Sequence, residues 1–333
     1  MKSVLRFSSA LALAALVGCS QNQQPVSPET NDAAQTLAAE ELSFEKSLPK
    51  ITVPDDYATI QAAVDAASGA MKINVKSGTY TEAVVVTKPG LVIGATGTVT
   101  LNGGFYLTDA ADHVTIRNFN ITPQGTALPS SWPFGGNEFA GIYAGGVTGG
   151  KAEDNTVTGG SSFELGIYYE NSTGVTIKDN KVSGTDFGIV LKNSSGNTID
   201  ENTATGVIDN PGIGLEENCD NNKITGNLCT GNLGGIFTNA IAGATCDNNV
   251  FKDNKCNNNT GHGIDLIHGN NNTVSGNTAN GNTGYGILVR DNSNNNTVKK
   301  NKAFGNTPCD ITNDAGNTGN VFIKNSAGCT SGF

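Results

Sequence analysis

Residues 271–303 read NNTVSGNTANGNTGYGILVRDNSNNNTVKKNKA. Asn277 and Asn301 stand 24 positions apart in this stretch, each three residues after a Val and two residues before an Ala. The same beat runs outward in both directions as Asn155, Asn180, Asn202, Asn227, Asn254, Asn277, Asn301 and Asn325, with steps of 25, 22, 25, 27, 23, 24 and 24 residues. A second series keeps step with it: Ile142, Ile167, Ile189, Ile213, Ile236, Ile264, Ile287 and Ile311, most of them preceded by Gly. Two independent series on one period define a repeat architecture, in which near-identical coils stack and function lies on the outside of the stack.

Each repeat alternates. Three residues before each ladder Asn lie Ala152, Ile177, Ile199, Ile224, Phe251, Val274, Val298 and Phe322, and two residues after it lie Val157, Val182, Ala204, Cys229, Cys256, Ala279, Ala303 and Ala327. Both columns are apolar, while the residue directly after Asn is mostly Thr, Lys or Ser. That is short-strand alternation, one side buried and one side wet. A further strand begins at Gly-Ile and points Ile167, Tyr169, Ile189, Leu191, Ile213, Leu215, Ile264, Leu266, Ile287 and Val289 inward. The 43 glycines and the recurring Asn-Gly and Gly-Asn pairs exclude long helices. A period of about 24 residues leaves room for three short strands and three turns, stacked in parallel ~4.8 Å apart. The expected fold is all-β, a right-handed parallel β-helix, given the handedness bias of parallel crossovers. Asn suits its turns because a carboxamide both donates and accepts and tolerates left-handed backbone. A second Asn column runs Asn197, Asn222, Asn249, Asn272, Asn296 and Asn320.

The N-terminal region differs. Lys2 and Arg6 precede an apolar run, Ala10 to Val17, too short to span a bilayer, as in a secretion signal. Leu16-Val17-Gly18-Cys19 resembles the lipobox of bacterial lipoproteins. The resemblance implies cleavage after residue 18 and lipid attachment to Cys19, and Ser20 resembles an outer-membrane address. The expected location is the bacterial outer membrane or cell surface, held by the lipid. Residues 19–50, rich in Gln, Ser, Pro, Thr and Glu, read as a flexible tether, and residues 51–333 as the β-helix. Ile60, Ala63, Val64 and Ala67 at helical spacing predict a short capping helix over the exposed first coil. Pro123, Pro129, Trp132, Pro133, Phe134, Glu138 and Phe139 break the period, so 123–139 reads as a loop insertion.

The stretch TIQAAVDAA…INVKSGTYTEAVVV…LVIGATG resembles the N-terminal cap and first coils of the pectin-methylesterase, pectate-lyase and NosD-type superfamily. The later coils, such as NNTVSGNTANGNTGYGILV, resemble its generic right-handed β-helix repeats, and the two together cover about residues 51–326. The resemblance implies this fold and a polysaccharide substrate or ligand. Gly261-His262-Gly263 is similar to a polygalacturonase motif, yet the accompanying Asp motifs are missing. The Asp-Pro-His of alginate epimerases and the Arg-rich signature of pectate lyases are missing too, so no catalytic residue of the superfamily is carried over.

Candidate site residues come from the outward face of the Gly-Ile strand. One outward column runs Tyr143, Tyr168, Val190, Gly214, Phe237, Asp265, Leu288, and the next runs Gly145, Glu170, Lys192, Glu216, Asn239, Ile267, Arg290. Tyr168 and Phe237, with Trp132 of the insertion, are candidates for stacking on sugar rings. Glu170, Lys192 and Glu216 occupy successive coils, placing the carboxylates ~9.6 Å apart with Lys between. That separation is at the upper end of the inverting-glycosidase range, and the alternative is a surface ion-pair ladder. Asp265 with Arg290 reads as an acid and a carboxylate clamp or as a salt bridge, and Asp265, Glu216, Arg290 and His262 are the candidate catalytic set. His262-x-x-Asp265-x-x-His268 is not a specific metal spacing, so no metal site is assigned; Ca2+ stays open as a cofactor with no motif of its own.

Six cysteines remain besides Cys19. Cys219 with Cys246, and Cys229 with Cys256, are each 27 apart and share repeat positions, so each pair is expected to be vertical neighbours. An exported chain favours their oxidation to two disulfides, with buried thiols as the alternative. Cys309 and Cys329 are placed to staple the last coil. The formal net charge of −10 and the lack of a basic stripe argue against a nucleic-acid partner. The expected protein is a monomer that binds or modifies polysaccharide, the alternatives being a non-catalytic adhesion protein or a NosD-like export accessory.

Overall fold

The computed structural model describes residues 43, 45–124, 139–160, 164–240 and 243–333. The expected signal, Cys19, most of the tether and Trp132 with most of the insertion lie outside the described residues. From Ser47 onward the chain is a parallel β-solenoid. One strand of each coil joins a 12-stranded sheet that begins with Lys50–Val53, Lys72–Val75 and Val92–Ala95 and ends with Val321–Ile323. The other strands join a 17-stranded sheet that turns a corner, as in Thr156–Thr158 followed by Glu164–Glu170, except Lys302–Ala303 and Ser326–Ala327, which pair as a sheet of two. Pairing is parallel and in register: Ile177 lies on Ile199, Val157 on Val182, and Ile189 on Ile213. The inward columns form one continuous core from Ile51 to Ile311.

Buried carboxamides hold this register. The Asn180 Oδ1 accepts from the backbone N–H of Asn155 at 3.0 Å and from its Nδ2 at 3.1 Å. Its own Nδ2 donates to the Ala152 carbonyl one coil back, at 2.8 Å, and to Asn202 Oδ1 one coil forward, at 2.9 Å. The pattern repeats down to Asn301 and Asn325. At another corner each Oδ1 of the Asn197 column accepts from the backbone N–H of the Asn one coil back, and Nδ2 donates to a carbonyl of that coil. A third ladder, Asn232, Asn259, Asn282 and Asn306, holds the remaining corner. It lies five residues after the first ladder, a spacing plain in the sequence that the reading above missed. Asp310 ends it, accepting from Asn306 with Oδ1 and from Gly328 and Cys329 N–H with Oδ2. Burial pushes the Asp310 carboxyl up, but these donors outweigh it and leave it below the ordinary range.

The glycine before most ladder Ile residues has a steric cause. A Cβ at Gly188 would stand 2.2 Å from the Gly212 carbonyl oxygen, and one at Gly235 would stand 2.2 Å from that of Gly263. Successive coils pass too closely there for any side chain. The expected cap helix is present over Ile60–Ala66, with the Thr59 hydroxyl accepting from Ala62 N–H. The Glu82 carboxylate accepts from Ile60 and Gln61 N–H, and Lys88 donates to the carbonyls of Val64, Asp65 and Ala67. The Gln61 side chain pairs with both backbone groups of Val85, occupying a strand edge that would otherwise be open.

The cysteine pairing differs from expectation. Among the described residues the disulfide is Cys309–Cys329, the staple expected for the last coil, whereas Cys219, Cys229, Cys246 and Cys256, expected to form two more, are free and buried. Cys229 does lie directly on Cys256, but in-register parallel strands hold Cβ atoms about one strand spacing apart, ~4.8 Å, and a disulfide draws them to about 3.8 Å. Cys219 and Cys246 take positions that Ser172 and Ser194 fill in earlier coils, and their thiols donate to backbone carbonyls as the serines do.

Asn227→Ala removes the acceptor for both Asn202 donors and the partner of the Ile199 carbonyl. It is expected to destabilise the solenoid by about 1–3 kcal/mol, read as a lower urea midpoint; an unchanged midpoint would mean that the ladder does not set stability at this corner.

Candidate functional site

The outward side of the Gly-Ile strands is not the open groove that the sequence implied. Along the first outward column Tyr106, Tyr143, Tyr168 and Val190 are buried and form a second apolar cluster with Leu165 and Ala140. Tyr168, expected to stack on sugar, is 0% exposed. It packs face to face on Tyr143 at 6.1 Å and edge-on to Phe187 at 6.5 Å. Aromatic side chains in a column of adjacent strands bury one another, so their apolar area goes into this cluster and not towards a ligand.

The second column is half-buried and polar. Glu170, Lys192 and Glu216 are in register on three successive strands as expected. Tyr143 donates to Glu170 at 3.3 Å, and Lys192 pairs at 3.3 Å with Glu217, a residue the sequence reading did not single out. Burial pushes the Glu216 carboxyl up, opposed by the charge of Lys192, with Glu217 and Glu170 adding to the rise. With three carboxylates around one ammonium, this cluster is an ion-pair ladder.

Two coils further on lies a different arrangement. Asp265 is fully buried beneath the surface. The Arg290 guanidinium clamps it, with Nε at 3.1 and 3.2 Å from the two carboxylate oxygens and Nη2 at 3.0 Å from Oδ2. Nη1 donates to Asp291 at 2.7 Å. Burial raises the Asp265 pKa and Arg290 opposes that rise; burial pulls Arg290 down, while Asp265 and Asp291 more than restore it. His262 Nε2 stands 4.0 Å from Asp265 Oδ2, and His262 Nδ1 accepts from the Tyr285 backbone N–H at 2.9 Å. The neutral ring therefore carries its proton on Nε2. Burial lowers the His262 pKa below 6.5, the Asp265 charge only partly offsetting it.

Phe237, His262 and Tyr285 make a row of half-buried rings along the stack, with centroids 6.1 and 5.4 Å apart. The structure thus joins Asp265, His262 and Arg290 of the expected catalytic set to Phe237. Glu216 stays with the other cluster, Gly214 and not Glu216 being the register partner of Phe237, which in turn lies on Asp265. Tyr285 was missed, although it stands two residues before its ladder Ile just as His262 does. Among the described residues no group of three or more His, Cys, Asp or Glu could hold a metal ion. No described helix is long and apolar enough to cross a membrane.

Fold and face together define a parallel β-solenoid with a polar and aromatic strip along its axis. The model of the right handed beta helix region matches residues 103–257 and 166–327, and the chain belongs to that family. No curated protein matches the chain. Among solved structures, the Azotobacter vinelandii mannuronan C-5 epimerase AlgE6 A-module is 14% identical with a TM-score of 0.58, over 84% of this chain and 93% of that one. The periplasmic alginate epimerase AlgG is 18% identical with a TM-score of 0.52, over 87% and 88%. At such identities the likeness is one of fold.

His262 is expected to titrate below 6.5 in a histidine NMR titration, and lower still in Asp265→Asn, which removes the charge that holds it up. Because the folded chain binds this proton less readily than the unfolded chain, the group costs stability as pH falls below 6.5 and nothing above it. A midpoint above 6.5 would contradict the geometry. Arg290→Leu leaves Asp265 buried without its cation and is expected to cost about 3–5 kcal/mol, most of it recovered in the Asp265→Asn/Arg290→Leu double variant; a single variant as stable as the parent would make the clamp irrelevant to the fold.

Proposed function

We propose that this protein binds an acidic polysaccharide along the axis of the solenoid. Phe237, His262 and Tyr285 serve as the stacking platform, and Arg290 is the contact for a sugar carboxylate. The observation that carries this reading is the row of half-buried rings beside a guanidinium that a buried carboxylate holds in place. Apolar ring faces suit sugar C–H surfaces. Of the five guanidinium N–H groups, three are engaged by Asp265 and Asp291, which leaves two to donate. That solenoids of like fold are named as epimerases of mannuronan and of alginate is in keeping with such a ligand.

The cluster favours binding over chemistry. Lyase or epimerase chemistry needs a base within reach of a sugar C–H. Asp265 is buried and clamped, and the acceptor nitrogen of His262 is occupied by Tyr285 N–H. The strip therefore presents donors and ring faces. Lipid attachment at Cys19 belongs to the same reading and would display the solenoid on the bacterial outer membrane or cell surface; Cys19→Ala should then move the protein from the membrane fraction to the soluble fraction.

A glycan array probed with the protein tests the ligand. Uronate-containing polysaccharides are expected to bind, and Tyr285→Ala to weaken binding by roughly tenfold, as for an aromatic contact residue. Indifference to this variant would remove the platform. Release of reducing ends or unsaturated uronates by the parent, lost in Asp265→Asn, would replace binding by catalysis.

A further inference from the structure

The corner between the 12-stranded sheet and the first strand of the 17-stranded sheet changes sign along its length. In the earlier coils it carries Glu153, Asp154, Asp179, Asp200 and Glu201, accompanied by Arg117, Lys178 and Lys181. In the last coils it carries Lys252, Lys255, Lys299, Lys300, Lys302 and Lys324 against Asp253 alone. Lys252 and Lys299 lie on one column, joined through Ser275, and Lys255 and Lys302 on the other, joined through Thr278. Lys300 and Lys324 sit in the turn between them. Among the described residues the only ion pair these six make is Lys252 with Asp253, at 3.6 Å. Five uncompensated ammonium groups thus span four coils, ~14 Å along the axis, on a chain whose net charge is −10.

The turn itself gains nothing from lysine. Gly226 and Gly276 hold the same position with φ of 67° and 69°, which glycine adopts freely. Lys300 and Lys324 hold it at 57° and 52°, as Asp154, Asp179, Glu201 and Asp253 do at 56°, 55°, 53° and 55° in other coils, all against the preference of a residue with a Cβ. Apolar side chains share the ridge. Phe304, two residues after Lys302 and just past the end of its strand, is 46% exposed, and Ile323, the register partner of Lys299, is 42% exposed.

We propose that this ridge docks on an anionic lipid surface, its lysines among the head-group phosphates and Phe304 and Ile323 at the acyl boundary. Clustered lysines beside exposed apolar groups are the composition that binds such surfaces. All six cations are lysine, which meets phosphate as a hydrated point charge, and none is arginine, whose planar fork matches a carboxylate in two places. A water-rich uronate chain would leave Ile323 and Phe304 without a role, so lipid is favoured over polysaccharide. The inference is independent of the ring row, which lies on another face of the coil.

The test is cosedimentation of the full chain, carrying Cys19→Ala to exclude lipidation, with vesicles of phosphatidylcholine alone or equimolar with phosphatidylglycerol. Binding is expected to the anionic vesicles over the neutral ones and to weaken as salt rises. Lys299→Gln/Lys300→Gln/Lys302→Gln should lower affinity about hundredfold, about fivefold for each lysine. Lys300→Gly separates docking from folding: it should raise the denaturation midpoint while weakening vesicle binding about fivefold. The proposal is overturned if the triple variant binds anionic vesicles as the parent does. It is equally overturned if the ridge retains the chain on a polyuronate gel and not on vesicles.

Discussion

A carboxamide that accepts from a backbone N–H and donates to a backbone carbonyl of the coil before it is the interaction on which this molecule rests. Every corner of the coil buries backbone groups that find no partner within their own turn. Asn supplies both missing roles from a side chain short enough to stay inside the bend. Three such columns, through Asn202, Asn222 and Asn232, fix three corners. Pitch and register then follow, and with them the spacing of every outward column. Where the third ladder must end, Asp310 replaces the carboxamide, accepting from the last coil while gathering the chain around Cys329.

The candidate site inherits its geometry from that register. Arg290 is held by a carboxylate one strand away, and Asp265 is buried because Phe237 and Leu288 stand on either side of it in the same column. A buried, clamped acid is a poor proton acceptor but a good anchor for a guanidinium. The same column is wholly apolar over Tyr143 and Tyr168 and becomes polar only near Asp265. The column stays buried through Asp265 and Leu288, and only Phe237 is half-buried in it.

Much of this was legible beforehand. The inward set from Ile167 to Val289, the cap helix over Ile60–Ala66 and the register of Glu170, Lys192 and Glu216 all stand where the repeat puts them. The errors share one origin. Tyr168 was placed outward, which is true of its strand, but outward of a strand is not the same as exposed to water. Cys229 and Cys256 were placed one above the other, which is also true, but vertical neighbours on parallel strands point the same way and keep their Cβ atoms apart. The lysine ridge overturns the expectation that the chain lacks a basic stripe; its members come from three different repeats and converge only when the coils are stacked.

The sequence by itself determined the coil, its period and the inward or outward sense of nearly every side chain. These depend on alternation within a strand and on the turn preferences of Asn and Gly, both local properties. Only the tertiary structure decided which outward column is covered, that Lys192 meets Glu217, that Asp265 is clamped by Arg290, and that four thiols stay reduced. Those outcomes depend on packing between coils and on side-chain reach across a strand spacing, which no single repeat encodes.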